Sequence, residues 1–118
     1  MKNKVFAYVC APFEKDGFPV RETQEYSQSL FRLGYIPICP NVMFAAFLSN
    51  TVPSQKQARQ DMSLEVLRRC RILVVCGNNI TEEMTQEILL AERLGIVTVT
   101  FDGLKEVSEY TGPKTPRG

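Results

Sequence analysis

One carboxylate stands on the apolar face of a predicted helix. In the stretch EEMTQEILLAERLG, Met84, Ile88 and Ala91 recur at the spacing of a helix face that packs on a core, and Glu87 falls on that same face. An ionised carboxylate is costly to bury without partners. Glu87 is therefore a candidate nucleophile or general base at a cleft. The alternative is a structural carboxylate that is paired with Arg93 or a lysine, or that reaches solvent.

The absence of histidine narrows the chemistry. The 118 residues contain none, which excludes Ser-His-Asp and Cys-His nucleophiles and most catalytic zinc sites. Any general acid or base must be a carboxylate, tyrosine, lysine or cysteine. The four cysteines, Cys10, Cys39, Cys70 and Cys76, form no C-x-x-C pair and lie in or beside apolar runs. They indicate buried, reduced thiols, and we expect no metal site.

Composition and charge favour a soluble domain. Fourteen basic and 13 acidic residues leave a net charge of +1, with no basic block that would indicate nucleic-acid binding. No apolar run is long enough to span a membrane. The first residues, MKNKVFAYVCAPFEKDG, meet charge and proline too early for a signal peptide. We expect one cytoplasmic domain over residues 1–118 that contacts neither nucleic acid nor membrane.

Apolar runs and helical patterns alternate along the chain. Strands are predicted at residues 4–10, 35–40, 71–77 and 96–101, and helices at 20–34, 54–70 and 81–95. Thr81 is the expected N-cap of the last of these helices and Gly95 its C-cap. Residues 41–53 form either a short helix or an apolar loop, and residues 104–118 a loose tail.

This alternation predicts an α/β fold of the Rossmann or flavodoxin-like type. It would be a three-layer sandwich around a parallel sheet of four or five strands, with residues 71–77 at its centre. Ligands of such sheets bind beyond the carboxyl ends of the strands. The candidate substrate-binding residues near these ends are Pro12, Phe13, Asn41, Phe44, Gly77 and Asn78. Glu87 would face the floor of this crevice, partly buried.

The order of these segments resembles the nucleoside 2-deoxyribosyltransferase-like superfamily. The resemblance rests on Tyr8 in FAYVCAP, GYIPICPN, Asp61 in RQDMSLEVL, and Glu87 in TQEILLAERLG before the final strand. It spans roughly residues 4–101. The superfamily includes the transferases and the 2′-deoxynucleoside 5′-monophosphate N-hydrolases.

The resemblance implies an activity and roles for three residues. Glu87 would attack the anomeric carbon of a nucleoside or nucleotide, as in two-step glycosyl transfer. Tyr8 would hydrogen-bond Glu87 or the sugar, and Asp61 would bind sugar hydroxyls or share a proton, so that the three side chains converge on one crevice. The chemistry needs no cofactor and no metal. Relatives often complete their sites with a neighbour's residues, which implies a homo-oligomer.

Two other classes of function stay open. EILLA stands where these relatives have ELGYA, and the first loop, APFEKDGFP, lacks their glycine- and serine-rich composition. These departures favour a non-catalytic nucleotide-binding or sensing module on the same fold. The third possibility is an interaction domain that uses the apolar stretch NVMFAAFL as a dimer surface.

Overall fold

Strands and helices alternate through the part of the chain that the computed structural model describes, residues 4–13 and 20–111. The elements in chain order are β1 (Val5–Cys10), α1 (Val20–Arg32), β2 (Tyr35–Ile38), α2 (Pro40–Ala45), α3 (Pro53–Leu67), β3 (Ile72–Val75), α4 (Glu82–Leu94), β4 (Val97–Thr100) and α5 (Phe101–Thr111). None of the helices in these ranges is long and apolar enough to cross a membrane. All four cysteines are free thiols.

The four strands form one parallel sheet in the order β2-β1-β3-β4. The apolar strand β3 lies between β1 and β4, which confirms its predicted interior position. β2 lies at an edge, where Pro37 is tolerated although it lacks an N–H for the sheet. The predicted α/β fold is thus confirmed, with a sheet of four strands that is consistent with a Rossmann or flavodoxin-like fold.

Both faces of β1 are covered by helices, so its side chains alternate between two cores. Ala7 and Val9 pack in a cluster with residues of α1 and α5. Tyr8 and Cys10 pack in the opposite cluster, with residues of α3 and α4. Because the side-chain period of a strand is two, this alternation places the Tyr8 ring on the side of α4.

The helix α4, which carries Glu87, is fixed at both ends as the sequence predicts. The Thr81 hydroxyl accepts a hydrogen bond from the backbone N–H of Met84 at 3.2 Å, which is the N-cap bond. Gly95 ends the helix in the left-handed region, with φ of 75°. These caps fix the axial position of Glu87 relative to the sheet.

The predicted loose tail is wrong for residues 104–111, because α5 continues to Thr111. Phe101 and Leu104 pack into the core on the α1 side of the sheet, and this burial stabilises the helix. Gly103 lowers the helix propensity of the segment, yet its backbone N–H donates to the Thr100 hydroxyl at 3.0 Å. A β-carbon at position 103 would lie 2.8 Å from that hydroxyl. Residues 112–118 lie outside the described ranges.

Gly95→Ala should lower the free energy of unfolding by about 1–2 kcal/mol, because an L side chain is disfavoured in the left-handed region. Nothing lies within 4 Å of the added β-carbon, so backbone conformation is the source of the cost. Urea denaturation measures it. Glu92→Ala, at an exposed position of the same last turn, is the control and should stay within about 0.5 kcal/mol of wild type. A Gly95→Ala variant as stable as wild type would contradict the left-handed C-cap at Gly95.

Candidate functional site

Tyr8 and Glu87 are in direct contact between β1 and α4. The Tyr8 hydroxyl donates a hydrogen bond of 2.7 Å to Oε2 of Glu87. Tyr8 has no exposed surface and Glu87 is 5% exposed. Glu87 lies on the buried face of α4 with Met84 and Ala91, as its spacing predicts. The apolar face thus contains one carboxylate, and that carboxylate has a buried phenol as its partner.

Asn41 makes a second contact to the same carboxylate oxygen. It lies in the first turn of α2 and is buried, and its Nδ2 donates to Oε2 of Glu87 at 3.4 Å. Its Oδ1 accepts bonds from Nη1 of Arg59 at 2.5 Å and from the Ser63 hydroxyl at 2.9 Å. The amide therefore connects Glu87 to the buried face of α3.

Arg59 is a buried cation at the centre of this arrangement, only 1% exposed. Its two terminal nitrogens donate to the two carboxylate oxygens of Glu83, at 3.1 and 2.9 Å. Its guanidinium carbon lies 3.9 Å from the centroid of the Phe13 ring, a cation–π contact. We call Tyr8, Asn41, Arg59, Ser63, Glu83 and Glu87 the polar network; it joins β1, α2, α3 and α4.

Burial and hydrogen bonding act on Glu87 in opposite directions. Loss of solvation raises the pKa of its carboxyl, and the charge of Glu83 adds to this rise, whereas the hydrogen bonds from Tyr8 and Asn41 lower it. Burial is also the main cause that raises the pKa values of the Tyr8 hydroxyl and the Cys10 thiol. Both groups therefore keep their protons near neutral pH. The Tyr8 hydroxyl donates to Glu87, whereas the Cys10 thiol donates to the backbone oxygen of Met84 at 3.9 Å.

A cavity of about 510 Å³ lies beside this network. Its walls include Phe13, Gln60, Glu83 and Gln86, but Glu87 is not among its lining residues. Glu83 lies one helical turn before Glu87 and has a side chain that is 21% exposed, whereas Glu87 is 5% exposed, so Glu87 is more deeply buried than the cavity wall. The sequence predicted a partly buried Glu87 at a crevice floor; the carboxylate is instead almost fully buried.

The predicted convergence of Asp61 with Tyr8 and Glu87 is wrong. Asp61 is exposed on α3 and accepts a hydrogen bond of 2.9 Å from Nε2 of Gln57. The buried side of α3 carries Arg59, Ser63 and Leu67, which are spaced by four residues. A residue two positions from Arg59 and Ser63 points to the opposite side of a helix, and this explains the exposure of Asp61.

The predicted substrate-binding residues are divided among several places. Asn41 and Phe13 contact the polar network. Pro12 and Asn78 line a different cavity of about 230 Å³ beside α1, and a β-carbon on Gly77 would lie 3.9 Å from Pro12. Phe44 is half-buried and packs edge-to-face on Phe47, with ring centroids 6.1 Å apart.

Arg59, Ser63 and the contact of Glu83 with Arg59 were not predicted from the sequence. A signal was present, because steps of four residues back from the buried Leu67 lead to Ser63 and then Arg59. A pattern of apolar residues alone does not reveal Ser63 and Arg59, because both are polar. Glu83 lies in the first turn of α4, where a carboxylate complements the helix dipole, and it also pairs with Arg59.

Tyr8→Phe should lower the free energy of unfolding by about 1–3 kcal/mol, because it leaves a buried carboxylate oxygen short of a donor. Tyr35→Phe is the matched control, since the Tyr35 hydroxyl makes no hydrogen bond to the described residues. Urea denaturation of the two variants gives the comparison. Equal stability of the two would show that the Tyr8–Glu87 bond is energetically unimportant.

Glu87→Gln should raise the melting temperature at neutral pH but not in acid. The raised pKa of Glu87 means that the protein loses stability as pH increases from the unfolded value, near 4.5, through the folded one. Below that window both states are protonated and the carboxyl carries no penalty. A glutamine never ionises, so the advantage of the variant should grow with pH across this window and then level off.

Thermal melts of wild type and Glu87→Gln over a series of pH values test whether the advantage of the variant grows with pH. Glu92→Gln removes one negative charge at an exposed position of the same helix and serves as the control. An advantage of Glu87→Gln that is constant with pH, or that falls as pH rises, would contradict the assigned destabilisation by burial.

Comparison with known protein families gives a match over most of the chain. The model of a family described as Domain of unknown function (DUF7768) matches residues 5–101, from β1 to the first residue of α5. This segment includes the whole polar network. No curated protein matches the chain. Since the matched segment covers most of the sequence, the chain belongs to the DUF7768 family.

Proposed function

We propose that the protein is an N-glycosidase or deoxyribosyltransferase that cleaves the base–sugar bond of a nucleoside or nucleotide, with Glu87 as the nucleophile. The observation that carries the proposal is the 2.7 Å hydrogen bond between Tyr8 and Glu87. The resemblance to the nucleoside 2-deoxyribosyltransferase-like superfamily selects these two residues from segments 79 positions apart, and they are in contact.

The hydrogen bonds to Glu87 suit a nucleophilic carboxylate. The bonds from Tyr8 and Asn41 both reach Oε2, and neither reaches Oε1. Oε1 would then form a bond to the anomeric carbon while the carbon–nitrogen bond to the base breaks. The base leaves with the bonding electron pair and takes up a proton. Water or a second base next attacks the glycosyl ester and restores the carboxylate.

The same donors maintain the charge that the reaction needs. A carboxylate attacks, and stabilises an oxocarbenium-like transition state, only in its ionised form. Burial raises the pKa of Glu87, and the donors Tyr8 and Asn41 oppose that rise. The activity should therefore fall as pH decreases through the pKa of Glu87.

Substrate would approach through the cavity of about 510 Å³, which is within the size range of small-molecule sites. Phe13 and Glu83 line that cavity, and both contact Arg59, which lies between it and Asn41. Contact of Glu87 with a sugar therefore requires these side chains to move when substrate binds. Asp61 is exposed elsewhere on α3 and has no part in this mechanism.

The same burial favours a second candidate, a nucleotide-binding or sensing module that does not catalyse. A 5% exposed carboxylate that accepts hydrogen bonds from Tyr8 and Asn41 is a stable structural arrangement without any substrate. In this case the cavity would bind a nucleoside or nucleotide, and Glu87 would only position α4 against β1.

Release of free base, followed by chromatography over a panel of nucleosides and nucleotides, decides between the two. Glu87→Gln should reduce release by several orders of magnitude, as loss of a nucleophile does. Tyr8→Phe should reduce it roughly ten- to a hundredfold, the equivalent of one hydrogen bond to a charged group. Asp61→Asn is the matched acidic control on the exposed side of α3 and should keep the wild-type rate.

Two outcomes would contradict the enzymatic proposal. Equal rates for wild type and Glu87→Gln, with both folded by thermal melting, would remove Glu87 from the reaction. No release from any substrate, together with a melting temperature raised by a nucleoside or nucleotide, would identify the binding module instead.

A further inference from the structure

The carboxamide of Asn41 is held at both ends. Its Oδ1 accepts from Arg59 at 2.5 Å and from Ser63 at 2.9 Å, while its Nδ2 donates to Glu87 at 3.4 Å. If the amide rotated by half a turn, its N–H groups would face the donors of Arg59 and Ser63, and its oxygen would face the Glu87 carboxylate. Both contacts would be repulsive. The donors on α3 therefore fix the orientation in which Asn41 serves Glu87.

Burial of the Arg59 guanidinium carries a desolvation penalty that a purely structural role does not require. Arg59 is 1% exposed, and its Nε is buried without a hydrogen-bond partner in the described part of the chain. Replacement of buried ion pairs by apolar residues of similar volume is often neutral or stabilising. A methionine in this position, with Glu83 replaced as well, would avoid the desolvation of the guanidinium and the unpaired Nε. The network thus retains a cation where stability alone does not call for one.

We propose that Arg59 is a positioning residue, which with Ser63 holds the Asn41 amide on Oε2 of Glu87 and leaves Oε1 directed away from these donors. Arg59 also pairs with Glu83, the carboxylate one turn before Glu87 on α4. The consequence for turnover rests on the proposed function, whereas the effect on the Glu87 carboxyl does not.

The ionisable groups around Glu87 determine the direction in which its pKa should change when Asn41 is less well positioned. Tyr8 and Cys10 lie on the Glu87 side of β1, and burial raises the pKa of each. Burial also raises the pKa of Cys39, which precedes α2 and packs on the opposite side of the sheet, to about 11. All three are neutral near pH 7. Glu83 raises the pKa of Glu87 and the Asn41 bond lowers it. Weaker positioning of Asn41 should therefore raise the pKa of Glu87.

Carbon-13 NMR of the labelled glutamate carboxyls of the full chain measures that pKa directly. Ser63→Ala removes one donor to Asn41 without a change of charge, and the pKa of Glu87 should rise. Gln60→Ala is the matched control, since Gln60 donates to Glu83 at 2.6 Å and makes no bond to Asn41. Gln60→Ala should leave the side-chain amide protons of Asn41 as protected from hydrogen exchange as they are in wild type. Ser63→Ala should lower that protection.

Arg59 itself is tested in a Glu83→Gln background, so that its removal leaves no unpaired acid. Addition of Arg59→Met should raise the pKa of Glu87 further than Ser63→Ala does. With Asn41→Leu also present, most of this rise should disappear, because positioning acts through the amide. A rise of the same size with and without Asn41 would show a through-space charge effect and overturn the proposal. So would equal Glu87 pKa values in Ser63→Ala and Gln60→Ala.

Turnover provides the second readout. Ser63→Ala should lower kcat roughly ten- to a hundredfold with little change in KM, and should move the acidic limb of the pH profile upward. Arg59→Lys, which keeps a charge and a donor, should retain more activity than Arg59→Met. A kcat that Ser63→Ala leaves unchanged in an active enzyme would overturn the proposal. Absence of turnover in wild type would count against the proposed function alone, and the NMR comparison would still decide the role of Arg59.

Discussion

The hydrogen bond between Tyr8 and Glu87 is the interaction on which the rest of the site depends. A carboxylate on the apolar face of α4 is tolerable only because a buried donor lies 2.7 Å from it. That donor comes from β1, which is interior to the sheet and covered on both faces. Alternation along β1 directs the phenol toward α4, and the caps at Thr81 and Gly95 fix the axial position of Glu87. Local rules of strand and helix geometry thus combine into one tertiary contact.

A second layer of polar residues supports this contact. Asn41 adds a donor to the same carboxylate oxygen, and Arg59 and Ser63 orient Asn41. Desolvation favours the neutral acid, while the donors favour the carboxylate, so the charge of Glu87 reflects a balance between the two. The network joins four elements around a group that is expensive to bury. Such an arrangement is typical of a site where function, rather than stability, selects the residues.

The fold was predictable because its signals are local in sequence. The apolar run of β3, the helical spacing of Met84 and Glu87, and the cap residues Thr81 and Gly95 each lie within a few residues of what they determine. The helix α5 was missed because Gly103 lowers its propensity, whereas burial of Phe101 and Leu104 decides its structure. The contacts of Arg59 with Asn41 and Glu83 join residues 18 and 24 positions apart, and no periodicity specifies such polar pairs. Asp61 was misplaced because its assignment came from the resemblance; it lies two positions from Arg59 and Ser63, whose burial only the structure shows, and therefore on the opposite side of α3.

Detection of a covalent glycosyl intermediate on Glu87 is the most direct test of the proposed mechanism. Nucleosides with fluorine at the 2′ carbon slow the breakdown of such intermediates, because fluorine destabilises the oxocarbenium-like transition state. Mass spectrometry of proteolytic peptides after incubation with such a nucleoside should find the fluorinated sugar on the peptide that contains Glu87, and no adduct in Glu87→Gln. Base release by the wild type without this adduct, or with the sugar attached to another residue, would contradict the assignment of Glu87 as the nucleophile.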